Sequence, residues 1–170
     1  TFPVNGRFSP EQKAIYEIVL KANLEAMNHI SPKHCWNDAH EATVRVIIEG
    51  LLELGLLQGE LEVLIAQEAH RPFYMHRAGH WLGLDVHDVG EYKLDGQWRR
   101  LTPGMTMTVE PGIYIAVDNF DVPEQWRGIG VRIEDDVVVT QDGCHVLTNS
   151  VPKSVAEIEA LMAAAQPAGV

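Results

Sequence analysis

Three residues of metal-binding type, His80, Glu110 and Glu134, stand in three separate segments of this chain, residues 75–90, 106–114 and 128–136. Small or apolar side chains surround each of them. One imidazole and two carboxylates form a mixed nitrogen and oxygen donor set suited to a hard or borderline divalent ion. Glu110 ends an otherwise apolar strand-like run, where a carboxylate is costly to bury unless it is paired or ligated. Pro111-Gly112 then fixes a sharp bend directly after it. Each residue also has an ordinary explanation. Arg132 beside Glu134 would make a plain cross-strand ion pair, and an isolated histidine is commonly a satisfied core or surface residue. His76, His80 and His87, however, lie close together among Gly79, Gly83 and Gly90, and glycines let backbone approach a ligand closely. On a helix, His76 and His80 would share one face.

These side chains need elements to position them. Ser9-Pro10-Glu11-Gln12 has the form of a capping box with proline at the first helical position. Ile15, Ile18, Val19, Ala22 and Ala26 follow at helical spacing. A second helix is expected from near Asn37 to Leu54, with Ala42, Val44, Val46, Ile47, Leu51 and Leu52 inward and Gly55 as its stop. A short third helix is expected over residues 60–69. The period then changes to two. Met105, Met107 and Val109 alternate with Thr106, Thr108 and Glu110, and Arg132 and Glu134 share a face in Val131-Arg132-Ile133-Glu134. Residues 137–140 and 145–147 read as two more strands around a turn at Asp142-Gly143. Ser154 and Glu157 frame a second capping box, opening a last helix with Val155, Ile158, Leu161 and Met162 as its apolar stripe. Residues 166–170 are expected to fray. Helices, then strands, then a closing helix predict an α+β fold with helices on one face of a curved antiparallel sheet. The polar strand face with Glu110 and Glu134 then looks into a cavity on the other side.

The chain has 170 residues and a formal net charge of −11, from 24 acidic and 13 basic side chains. That balance argues against nucleic acid or an anionic membrane surface as partner. No run is apolar and long enough for a bilayer span, and the first residues lack the basic and apolar regions of a secretory leader. Cys35 and Cys144 show no paired spacing and are expected as free thiols in a reducing compartment, the cytoplasm.

Three stretches together resemble a known family: His-Arg-Ala-Gly-His-Trp-Leu-Gly-Leu-Asp-Val-His-Asp-Val-Gly at 76–90, Thr-Val-Glu-Pro-Gly-Ile-Tyr at 108–114, and Gly-Ile-Gly-Val-Arg-Ile-Glu-Asp at 128–135. They are similar to the motifs of the bacterial aminopeptidase P family, the Xaa-Pro aminopeptidases among the pita-bread metallopeptidases. The resemblance implies a pita-bread catalytic domain that removes the N-terminal residue from peptides with proline in second place. It also implies two divalent ions, commonly manganese, on five ligands: two Asp, one His and two Glu. By motif, His80, Glu110 and Glu134 match the last three, with Glu110 also shuttling the proton and Glu134 bridging the ions. His76 and His87 match imidazoles that meet the substrate and the developing oxyanion. Tyr114 and Arg132 match a polar pair behind them. The two aspartates have no counterpart in the chain. Residues 1–170 are therefore expected to be the C-terminal portion of the catalytic domain, without the N-terminal domain and the first part of the fold. Such a fragment should hold at most one weakly bound ion, hydrolyse peptides poorly if at all, and pair with another copy or with the upstream part. Residues 91–100 depart from the family pattern through Asp95-Gly96-Gln97-Trp98. Two other readings compete: a non-catalytic pita-bread module that binds peptide or protein, and a prolidase-type dipeptidase.

Overall fold

The structure, a computed structural model, describes residues 1–165; the expected frayed tail at 166–170 lies outside the described residues. Two long helices open the chain, α1 (Pro10–Asn28) and α2 (Asp38–Glu53), followed by the short α3 (Leu61–Ala66). Ser9 caps α1 as expected: its hydroxyl accepts from Gln12 N at 3.2 Å and the Gln12 side chain accepts from Ser9 N at 3.0 Å. α1 and α2 pack closely where Gly50 of α2 leaves room for the Ile18 side chain of α1. α2 ends at Gly55, whose φ of +70° suits glycine. α3 stops earlier than expected from sequence, because Glu68 adopts a left-handed backbone (φ 53°) that breaks the helical run.

The strand half consists of short antiparallel pieces: β1 (Lys93–Leu94), β2 (Gln97–Trp98), β3 (Thr106–Val109), β4 (Gly112–Tyr114), β5 (Gly130–Arg132), β6 (Asp135–Val139) and β7 (Cys144–Val146). β3, β6 and β7 form one sheet, β4 and β5 a second, β1 and β2 a hairpin. The stretch that reads as one strand from Val131 to Glu134 is interrupted, and the chain changes partners there. β5 pairs with β4, whereas β6 pairs with β3. Pro111 offers no N–H to a ladder, so both paired chains bend at the same level, and Ile133 N reaches Pro111 O at 3.3 Å across the gap. The unusual 95–98 stretch is a two-residue hairpin loop, Asp95-Gly96, running into β2. Asp95 and Gly96 both have positive φ, 48° and 78°, as the turn type with Asp-Gly at its centre requires.

Two cores support the sheets from the helix side. One joins Ile15, Val19, Ile47 and Leu51 of the helices to Ile113, Val131 and Ile133. The other joins Ala26 and Ile30 to Trp36, Trp81, Met107, Val109 and Val137. The closing helix α4 (Val155–Ala165) keeps its Ser154–Glu157 box. Its stripe is narrower than the sequence suggests: Ile158 is buried, Val155 and Met162 are partly buried, and Leu161 is 57% exposed. Cys35 and Cys144 are free thiols. Among the described residues no helix is long and apolar enough to cross a membrane.

Candidate metal centre

The corner between the two sheets is where the two glutamates meet. Val109 faces Asp135 on one side of it and Gly112 faces Arg132 on the other. The register therefore runs through the corner and sets Glu110 opposite Glu134. Like charges directly across a ribbon destabilise it, unless a cation lies between them. His80 reaches the same point from the segment 75–90, which is neither helix nor regular strand. His76 and His80 thus do not share a helix face. Instead the segment lies across β3, where Glu110 N donates to Ala78 O (2.7 Å) and Thr108 N donates to His80 O (3.0 Å). One ligand atom from each of His80, Glu110 and Glu134 lies within 4.8 Å of the others. This trio is the group of three or more such side chains among the described residues that could hold a metal ion.

The local hydrogen bonds prepare those atoms. His80 Nδ1 donates to Trp81 O at 2.8 Å, which leaves Nε2 with a free lone pair, the tautomer a metal ligand needs. His80 Nε2 lies 3.3 Å from Glu110 Oε1, and the two side chains are only 16% and 12% exposed. Thr108 is buried, not turned to a solvent-filled face: its hydroxyl accepts from His80 N (3.0 Å) and donates to Glu110 Oε1 (3.1 Å). Sequence reasoning did not name Thr108 as part of the site, although its place two residues before Glu110 on the same strand face was a usable signal. Burial raises the Glu134 carboxyl above the usual carboxylate range, with further upward pushes from Glu110 and Asp136. A crowded, partly desolvated pair of carboxylates beside a prepared imidazole fits a divalent cation.

Arg132 does not pair with Glu134. Its Nη1 lies 3.5 Å from Glu110 Oε2, and its Nε donates to Tyr114 OH at 2.7 Å. Tyr114 OH in turn meets His76 Nε2 at 2.8 Å, while His76 Nδ1 donates to Arg77 O at 2.8 Å. Burial lowers the His76 pKa, which keeps the ring neutral and its Nε2 an acceptor. His87 is exposed and stands edge-on to His80, ring centroids 4.4 Å apart. All seven side chains singled out in the sequence are therefore brought together around one corner.

Gly79 is required at this corner. A Cβ there would overlap the Thr108 carbonyl, so Gly79→Ala must push the His80 segment off β3. Divalent-ion binding by calorimetry should fall, while Gly96→Ala, at the turn of the β1–β2 hairpin, should leave it unchanged.

Behind the site, His40 packs against His70 and Tyr74, at centroid distances of 6.4 and 5.8 Å. Burial, reinforced by Arg77, His70 and His76, lowers the His40 pKa to about 3. Because the folded value lies below the ordinary 6.5, the unfolded chain takes up this proton first as pH falls. The stability from neutral His40 is fully present above pH 6.5 and is lost toward pH 3. At pH 5 the loss is roughly 2 kcal/mol. Thermal melts at pH 7 and pH 5 should show it, and His40→Leu should flatten the difference.

Residues 1–141 match metallopeptidase family M24. The chain is 54% identical over 162 residues to the Xaa-Pro aminopeptidase of Haemophilus influenzae, covering 95% of this chain and 37% of that protein. It superposes on the structure of Pseudomonas aeruginosa aminopeptidase PepP with a TM-score of 0.95 at 72% identity, over 96% of this chain and 37% of that one. Human Xaa-Pro dipeptidase is 40% identical over 192 residues, covering 96% of this chain and 38% of its own length. The chain belongs to metallopeptidase family M24 and has its pita-bread, α+β fold. It spans about 37% of the length of the bacterial relatives it matches.

Proposed function

We propose that the chain is the C-terminal portion of the catalytic domain of a cytoplasmic, metal-dependent aminopeptidase that releases the N-terminal residue from peptides with proline in second position. The observation that carries this reading is the convergence of His80, Glu110 and Glu134 at the corner of two sheets. The likeness to bacterial Xaa-Pro aminopeptidases over nearly the whole chain supports it. His80, Glu110 and Glu134 would hold their share of a pair of divalent ions, which we take to be manganese. Such ions, when bound, supply Lewis acidity and make water a nucleophile at neutral pH.

The chain's own groups divide the remaining work. Glu110, held by Thr108, accepts a proton from the attacking water at a carboxylate oxygen. It then returns that proton to the proline nitrogen, which needs it to leave. His87, exposed beside His80, meets the substrate carbonyl side. His76 has both ring nitrogens engaged, so it acts through Tyr114, whose one O–H it accepts, and Tyr114 in turn holds Arg132, whose guanidinium presents the donors to developing negative charge.

Without the two aspartate ligands the isolated chain keeps a three-ligand site for one weakly held ion. It pairs with a second copy or with the upstream part of the domain. A dipeptidase is the second reading, favoured by the 40% identity to the human Xaa-Pro dipeptidase. A non-catalytic binding module is a poorer fit, because the trio is intact. The test is to assay the full-length polypeptide, stripped by chelator and reloaded with Mn2+, on an Xaa-Pro dipeptide and on an Xaa-Pro-Yaa tripeptide. Metal-dependent cleavage of the tripeptide is expected. Cleavage of the dipeptide alone would replace the reading with the dipeptidase, and no cleavage of either would leave the binding module.

A further inference from the structure

We propose that Asn23 is a positioning residue that sets the spacing of the two glutamate ligands. This inference rests on the reading of His80, Glu110 and Glu134 as a metal site. Asn23 sits on α1, is fully buried, and points its Nδ2 at the strand corner. Nδ2 donates to Val109 O at 3.0 Å and faces Ile133 O at 3.5 Å. The first carbonyl belongs to the peptide unit that bears the Glu110 nitrogen, the second to the one that bears the Glu134 nitrogen. A primary amide carries two hydrogens, one for each carbonyl. A single side chain from a helix thus grips both peptide units from which the two carboxylates hang.

The corner has need of such a grip. The β3–β6 ladder ends at Val109 and Asp135, and the β4–β5 ladder begins at Gly112 and Arg132. Between them Pro111 donates nothing, and the two glutamates stand opposite each other with like charge. Repulsion would spread the corner if only the flanking ladders and the Ile133 N to Pro111 O bond (3.3 Å) held it. The grip itself is rigid. Val19, Ala22 and Ala26 on the same helix face are fully buried, so α1 cannot roll and the amide cannot swing away. Asn23 Oδ1 is buried with no hydrogen-bond partner among the described residues. Placing an amide there costs desolvation, and an apolar side chain of similar size would pack without that cost. The donor function toward the two carbonyls is what distinguishes asparagine at this position.

The experiment measures binding of Mn2+ alone to the full-length polypeptide by titration calorimetry, alongside thermal melts. Asn23→Leu keeps the volume and removes both donors, and should weaken Mn2+ binding by about 10–100-fold, the usual effect of losing a group that orients a ligand. Val19→Ala, one turn away and touching neither carbonyl, should lower the melting temperature while leaving Mn2+ affinity unchanged. Should Asn23→Leu not fold, Asn23→Ser carries the same test with the same expected weakening. Wild-type affinity in the Asn23 variant, or equal weakening in Val19→Ala, overturns the positioning role. Glu134→Gln separates the two inferences. If it binds Mn2+ as well as wild type, the metal-site reading falls and the role of Asn23 with it. If it loses binding while Asn23→Leu does not, only the role of Asn23 falls.

Discussion

Glu110→Gln in the full-length polypeptide should lower Xaa-Pro cleavage by on the order of 10²–10⁴-fold, the range for loss of a positioned proton carrier. The substitution keeps the size of the side chain and the oxygen that Thr108 Oγ1 meets at 3.1 Å. It removes the negative charge that lies 3.3 Å from His80 Nε2 and 3.5 Å from Arg132 Nη1. In the proposed mechanism it also removes the base that carries the proton from water to the leaving nitrogen. Weaker metal binding should accompany the loss of turnover, because a carboxamide oxygen is a poorer donor to a divalent ion than a carboxylate. Saturating Mn2+ should restore occupancy but not rate. A variant that regains full turnover at high Mn2+ would show that Glu110 is a ligand alone, and the proton would have to be assigned elsewhere.

Lys153→Met should be among the most destabilising single changes in the chain, at about 3–5 kcal/mol. Asp135 follows Glu134 directly, faces the opposite side of the strand and is wholly buried. Lys153 Nζ lies 3.0 Å from Asp135 Oδ1 and is itself mostly buried. Thr148 donates to the same carboxylate oxygen. The Asp135 Oδ2 atom has no hydrogen-bond partner among the described residues, so removal of the ammonium group leaves a buried charge with a single hydroxyl. Lys153 also ties the strand to α1, since its carbonyl accepts from Tyr16 OH at 2.7 Å. Burial, and then Asp135, pushes the Tyr16 phenol up to about 12. At this size the loss corresponds to a fall in melting temperature of roughly 6–20 °C. The double variant Asp135→Asn with Lys153→Met should recover most of it, because a neutral amide no longer needs the cation. A shift of less than about 2 °C for Lys153→Met would mean that water, not the lysine, satisfies Asp135.

Much of this site was legible from the residues themselves. The Ser9–Gln12 and Ser154–Glu157 boxes announced two helix starts, because a capping box is completed within four residues and depends on nothing distant. The period-two runs around Met107 and Val137 announced strands for the same local reason. His80, Glu110 and Glu134 could be chosen by donor chemistry and by their place in three ordered motifs. Partnerships were not legible. Arg132 and Glu134 share a strand face, so sequence suggested an ion pair; yet Arg132 turns to Glu110 and Tyr114, because the bend at Pro111 brings those groups over it. The strand break after Arg132 was hidden, since alternation continues through it while the pairing partner changes. Asn23 looked like one polar residue on an amphipathic helix. It meets carbonyls 86 and 110 residues further along the chain, and no local pattern encodes a contact at that separation. Chemistry and secondary structure follow from short-range rules that the sequence states outright. Only the pairing register of the two sheets decided which carboxylates face each other, and only the packing of α1 against their corner decided which donor holds them there.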